Sequence, residues 1–417
     1  MAEREYSPAP EPRTGAYEMN RPTPGMDTLA SARLGFPAME RWTYLDVAGR
    51  CPLSRTTRAA LDAHLDERMV NGANKEKFFD LIERTRARFA SLIGADPDEI
   101  AYAKNVSDGL NMIATAFHWR RGDNVILCPE LEHPNNIYPW LNMRRCGLEV
   151  RAVDPRDGHI PVDEIGARMD GGTRVVTVST VTFAPGFRTD LAGLGRLCRE
   201  RDVLLLVDAA QSAGVLHTDV QRAGIDALAV STQKGLLGLY GMGFLYCRRA
   251  WAERLEPAYL ARFGVDVGDA HEATMGGIEY KLAAAARRFD LGNYNFAAAA
   301  AADASMAEIA ALGTENIERH AVGLAHALAR GMLALGLPVA GGEPGPHLAH
   351  IVAVGTMSAD HYGTGDARLS GLYDHLTAHG VKLSIRRGTL RFSFHLYNNM
   401  DDVERVLALT REFLRKA

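Results

Sequence analysis

The stretch Val203–Cys247, VLLLVDAAQSAGVLHTDVQRAGIDALAVSTQKGLLGLYGMGFLYC, decides the fold. It opens on an apolar run, Val203 to Val207, of the kind that forms a strand covered on both faces, as strands of parallel sheets are. The run ends in Asp208, a carboxylate set where such a strand leaves its sheet. A second short run, Ala227 to Ser231, ends close to Lys234, and a third, Gly243 to Cys247, follows a glycine-rich turn. An acid at one strand end and an amine just past the next face one crevice at the carboxyl edge of the sheet, where α/β folds bind their ligands.

That pair matches the needs of pyridoxal phosphate. Its aldehyde takes a lysine amine as a Schiff base, and an acid opposite the ring nitrogen keeps that nitrogen protonated, so the ring drains charge from a substrate α-carbon. Spacing alone leaves an alternative: a strand-end Asp capping a helix and a Lys in a surface loop. The stretch resembles the class V aminotransferase family, which includes cysteine desulfurases, isopenicillin N epimerase-like proteins and kynureninase-like relatives. The resemblance rests on V-D-A-A-Q at Val207–Gln211, H-T-D-V at His217–Val220, S-T-Q-K at Ser231–Lys234 and G-M-G-F-L-Y at Gly241–Tyr246. It implies that Lys234 is the Schiff-base lysine, Asp208 the partner of the ring nitrogen, Gln211 a partner of the ring hydroxyl and Ser231 a phosphate ligand. It further implies the α/β fold type I of pyridoxal-phosphate enzymes. A large domain would hold a mostly parallel seven-stranded sheet between helices, with a smaller α+β domain at the C-terminus.

Length and composition agree. A chain of 417 residues, 47% apolar, fits one large domain and a smaller one. The expected division is an arm over 1–41, a cofactor domain over 42–293 and a small domain over 294–417. A formal charge of −4 gives no ground for nucleic acid or an anionic membrane as partner. The five cysteines are scattered without a C-x-x-C pair, the pattern of reduced thiols in a cytoplasm. The proline-rich start lacks the apolar core of a signal peptide, and no run nears the roughly 18 apolar residues of a membrane span. A soluble cytoplasmic protein is expected. The arm either contributes to the small domain or the site mouth, or is a disordered leader.

Further site candidates come in chain order. Arg50, in the loop after Leu45-Asp46, either meets an acid on the substrate or pairs with a surface carboxylate. A long helical pattern runs through Leu61, Leu65, Met69 and Phe78 to Ile93. Next, a short strand, then Val106-Ser-Asp-Gly-Leu-Asn111, opens a helix whose exposed amides suit an anion, with Ser107 and Asp108 in its first turn. A plain helix cap is the alternative there. The family's phosphate segment is matched in Gly109 and Asn111. Past the strand Asn124–Cys128, the E-H-x-x-N resemblance makes His133 the residue stacked on the cofactor ring and Asn136 its support. A zinc site from Cys128, Glu132 and His133 lacks a second ligand pair, so no metal is expected. Gln233 stands where many relatives have histidine and keeps an amide donor for the phosphate. Arg288-Phe-Asp-Leu-Gly-Asn293 resembles a segment reaching the neighbouring subunit's phosphate, which implies a homodimer with shared sites.

Arginine's planar fork suits a substrate carboxylate. Arg391 matches the family's carboxylate-binding arginine; Arg386 and Arg387 are nearby alternatives that read rather as solvent or phosphate-rim charges. Gly380–Arg391, GVKLSIRRGTLR, contains no cysteine where desulfurases carry one on a mobile loop. The chain is therefore expected not to form a persulfide. Phe183 replaces an asparagine, and T-F-A-P-G-F-R looks more like the epimerase-like branch. Arg188 there reads as a substrate contact or as the partner of Asp190. The expected enzyme acts at the α-carbon of an amino acid, as an aminotransferase or epimerase. The alternatives are a β-eliminating C–S lyase and, last, a non-catalytic binding protein on this fold.

Overall fold

A computed structural model describes residues 28–72, 74–266, 268, 279–358 and 363–416. Its centre is a seven-stranded sheet built from β1 (Ile100–Ala103), β2 (Asn124–Leu127), β3 (Glu149–Ala152), β4 (Thr173–Ser179), β5 (Leu204–Asp208), β6 (Ala227–Ser231) and β7 (Gly243–Cys247). Their spatial order is β1-β7-β6-β5-β4-β2-β3, and β7 alone runs against both neighbours. The sheet is thus mostly parallel, as expected.

Alternate residues of each strand enter different cores. Leu205, Val207, Leu228 and Val230 join one apolar cluster, while Leu204, Leu206, Ala227 and Ala229 join another on the opposite face. Coverage on both sides explains why these strands read as continuous apolar runs rather than alternating ones.

The long helical pattern is two helices. Arg55–Asn71 (α1) stops before Gly72, whose φ is +72°, and Lys75–Ile93 (α2) restarts behind an Asn74 cap. An L side chain rarely adopts that backbone geometry, so the break is a glycine effect that apolar spacing does not record. The first turn of Val106–Thr115 (α3) faces the site, with its Gly109 against β6: a Cβ there would sit 2.9 Å from the Ala229 Cβ. Leu191–Glu200 (α4) follows, capped by Asp190, whose carboxylate accepts from the Gly193 N–H. Arg188 pairs instead with Glu318 at 2.8 Å, a correction to the Asp190 alternative.

The alanine-rich helix Phe296–Leu312 (α5) packs on α1 and α2, with Ala298 to Ala302 all buried. Thr314–Ala334 (α6) turns from it by 80°, and among the described residues no single helix is long and apolar enough to cross a membrane. A separate apolar cluster joins α6, Ala367–Ala378 (α7) and Met400–Lys416 (α8) to an antiparallel sheet of β8 (Ile351–Val354), β9 (Ser384–Arg386) and β10 (Thr389–Ser393). Regular structure begins before Trp42, with a short helix at Leu29–Ala32. Arg33 ties this part of the arm to the start of α8, donating to the Asp402 carboxylate at 2.8 Å and to the Tyr397 carbonyl at 2.7 Å. The first 27 residues of the expected arm lie outside the described residues.

Candidate active site

The carboxyl ends of β4, β5 and β6 open into a cavity of about 500 Å³. Ser179, Asp208 and Ser231 are the last residues of those strands, and Ser179 and Asp208 are register partners. Lys234 enters three residues beyond β6. Gly235, beside it, lies so near the 213–214 turn that an added Cβ would come within 2.3 Å of the Ala213 carbonyl oxygen, so the chain is pinned where the amine turns inward. Ser107, Gln233, His133, Phe183, Arg386 and Arg391 also line it, the last two with His133 gathered around the Phe183 ring.

Asp208 is buried, and its Oδ1 accepts from the Ala210 N–H at 2.9 Å. Burial pushes its pKa up, while that bond and the Lys234 charge pull it back. Burial lowers Lys234 to about 8; Asp208 opposes the fall, and Arg391 and Arg386 add to it. His133 falls to about 4, chiefly through burial and then through Lys234, Arg386 and Arg391, so its imidazole is neutral at pH 7. Its Nδ1 accepts from the Asn135 N–H at 3.1 Å, which leaves the proton on Nε2. The ring meets Phe183 edge-on with centroids 4.9 Å apart.

Several polar atoms on this wall are buried without a hydrogen-bond partner among the described residues: Gln211 Oε1, Ser231 Oγ, Gln233 Oε1 and both terminal nitrogens of Arg391. Burying such groups costs free energy unless a ligand completes them. Their placement fits a phosphorylated aromatic ring. Ser231 and Ser107 adjoin the start of α3, where the Asn105 side chain caps the Asp108 N–H at 3.0 Å. The amides of Val106 and Ser107 are thereby left for an anion.

Four sequence candidates are not on the wall. Asp108 is turned back, its carboxylate accepting from the Lys104 N–H at 2.8 Å. Asn136 is buried behind the wall, donating to Glu132 at 2.9 Å and accepting from the Thr177 hydroxyl at 2.7 Å. Asn293 is exposed, with φ +48°, and Arg50 is exposed, its carbonyl accepting from the Tyr44 hydroxyl. Sequence reasoning missed one group. Glu132 accepts from the Ser179 N–H (2.7 Å) and Oγ (2.5 Å) and is raised to about 7 by burial, with Asp208 pushing the same way. The acid in the E-H-x-x-N segment was the available signal for it. Arg386, the alternative to Arg391 that read rather as a rim charge, is a wall residue.

A profile of the family described as Aminotransferase class-V matches residues 43–406. The chain belongs to the class V aminotransferase family. This family depends on pyridoxal phosphate and has the fold type I architecture seen here. A probable cysteine desulfurase of Methanothermobacter thermautotrophicus is 29% identical over 388 residues, covering 89% of this chain and 94% of its own. An uncharacterized aminotransferase, YcbU, of Bacillus subtilis is 28% identical over 89% of this chain and 94% of its own. Among solved structures, the apo cysteine desulfurase of Thermococcus onnurineus superposes with a TM-score of 0.79 at 25% identity, covering 92% of this chain and 98% of its own. The desulfurase names weigh against the expectation, drawn from Gly380–Arg391, that a class V enzyme with this sequence forms no persulfide.

Proposed function

We propose that this class V enzyme acts at the α-carbon of an amino acid, as an aminotransferase or epimerase, without a persulfide on a thiol of its own. One observation carries the reading: an amine, Lys234, a buried acid, Asp208, and a buried guanidinium, Arg391, converge on one cavity whose other polar atoms await partners. When bound, pyridoxal phosphate supplies the electron sink for charge developing at the α-carbon.

The chain's own groups do the rest. Ser107, Ser231 and the amide NH2 of Gln233, with the first amides of α3, would hold the phosphate. Asp208 would serve the ring nitrogen, Gln211 the ring hydroxyl and the neutral His133 the ring itself. Arg391 holds the substrate carboxylate through its two terminal nitrogens, its Nε already given to the Ser384 hydroxyl at 3.1 Å. With a pKa of about 8, Lys234 has an amine able to take and return a proton near neutral pH. Asp108 and Asn136 act as positioning residues, one on the α3 turn and one on the loop carrying His133. Arg50 receives no role.

The cysteines support the exclusion of a persulfide. None of the five lines the cavity. Cys51 is turned to the Gly238 carbonyl at 3.5 Å, and burial raises its thiol to about 12. Arg387 and Gly388 alone join β9 to β10, leaving no loop there to carry a thiol. A homodimer with shared sites accords with Asn293 lying off its own cavity and with exposed apolar side chains at Met69, Val70, Tyr259 and Tyr280.

Product analysis on the holoenzyme with an amino-acid panel tests the proposal. A 2-oxo acid formed once per bound cofactor marks transamination, and solvent deuterium at Cα without net conversion marks epimerisation. Ammonia released with the oxo acid from β-substituted substrates supports the C–S lyase alternative. Alanine and protein-bound persulfide from L-cysteine would refute the exclusion.

A further inference from the structure

Resting on that reading of the site, the geometry points to a substrate with two acidic groups: an amino acid whose α-carboxylate sits on Arg391 and whose side-chain acid sits on Arg386. The argument begins with the hairpin. Ser384 pairs with Arg391 and Arg386 with Thr389, so residues 384, 386, 389 and 391 project from one face. Arg386 and Arg391 are diagonal neighbours on that face, a placement within reach for long side chains. Both line the cavity.

Phe183 fixes where the two heads lie. The Arg391 guanidinium carbon is 5.7 Å from the Phe183 ring centroid and that of Arg386 is 6.0 Å from it, so one aromatic platform carries both cations. The same ring abuts His133, which places the pair beside the cofactor position rather than at the phosphate end.

The charges around them are unequal. On the wall, Lys234 and Asp208 would be engaged by the cofactor and Lys104 stands just before the helix start that would hold its phosphate, so the cations left to face the substrate are Arg386 and Arg391. Asp46 stands beside the guanidiniums, its Oδ1 3.9 Å from an Arg391 terminal nitrogen, beyond hydrogen-bond distance. The cations press on one another: Arg391 is lowered to about 10 by burial and then by Arg386, and only Asp46 offsets this. A field of this sign draws anionic ligands and disfavours cationic ones. With Arg391 given to the α-carboxylate, Arg386 is the group that separates an acidic side chain from its amide isostere.

The test uses holoenzyme reconstituted with pyridoxal phosphate, titrated with L-aspartate, L-asparagine, L-glutamate and L-glutamine while the cofactor absorbance is followed. At least one acid should bind tenfold or more tightly than its amide. That ratio should fall about tenfold in Arg386→Gln and recover in part in Arg386→Lys. Equal response to acid and amide, or a ratio unmoved by Arg386→Gln, overturns the inference. A holoenzyme whose spectrum answers none of the four overturns it too, while leaving the cofactor reading intact. A protein that takes up no cofactor sinks the reading of the site, and the inference with it.

Discussion

Replacing Glu132 by glutamine should change how stability depends on pH, in the direction opposite to most carboxylates. Glu132 is buried, and no cation pairs with it among the described residues; its partners are the Ser179 N–H, the Ser179 hydroxyl and the Asn136 amide. Its folded pKa is about 7 against an ordinary 4.5, burial being the main cause. Below pH 4.5 the carboxyl is protonated in both states and its contribution to stability is complete. Between 4.5 and 7 the folded state holds a proton that the unfolded state has lost, so stability falls as pH rises. At about 1.4 kcal/mol per pH unit the whole loss is on the order of 3 kcal/mol, some 2 to 3 of it between pH 5 and 8.

Glutamine removes the titration but not the crowding. Its oxygen can accept from the Ser179 N–H, and its NH2 can donate to the Ser179 hydroxyl. That NH2 then opposes the Asn136 amide, at a cost of about 1 kcal/mol. Glu132→Gln should therefore be slightly less stable than the native protein at pH 5 and about 2 kcal/mol more stable at pH 8. The other raised carboxyls, Asp46, Asp226 and Glu308, are present in both proteins and cancel in the difference. Urea unfolding of both holoenzymes at the two pH values measures the crossover. A difference between variant and native that is the same at pH 5 and pH 8 refutes the reasoning.

Other substitutions separate the roles. Lys234→Ala should abolish the visible absorbance of the lysine-bound cofactor and slow turnover roughly 10²- to 10⁴-fold, read by spectrum and single-turnover kinetics. Arg391→Lys keeps the charge but loses the fork, so KM for every amino acid should rise at least roughly tenfold with a smaller change in kcat. Asp290→Ala should destabilise by about 3 kcal/mol, because the buried Arg86 is left with only Glu83, at 3.4 Å, and the Ile100 carbonyl among the described residues. Asp290 accepts from Arg86 at 2.7 Å, from the Tyr102 N–H at 2.8 Å and from the Tyr294 hydroxyl at 3.1 Å, so chemical denaturation, not cofactor affinity, is the informative readout.

How far the sequence could be read follows from which forces act locally. Strands β5, β6 and β7 announce themselves because both faces are buried and nearly every residue must be apolar. Asp208 and Lys234 follow because a chain leaving such a strand has few places to put a charge. What was not legible depends on register and on distant contacts. Whether Arg386 faces solvent or the cavity is decided by the pairing of Ser384 with Arg391 across a two-residue turn, and one step of slip would reverse it. Glu132 reads only as the acid of the E-H-x-x-N segment and a discarded zinc ligand, because its partner Ser179 is brought to it by β4 from 47 residues away. Arg188 reads as a partner of nearby Asp190 until α6 presents Glu318. The part of the cavity proposed for the cofactor lies within runs whose chemistry is contiguous in sequence, at Ser107, Asp208 and Ser231–Lys234. The part proposed for the substrate is assembled from the hairpin, the Phe183 loop and the Asp46 loop, tertiary contacts that no single stretch contains.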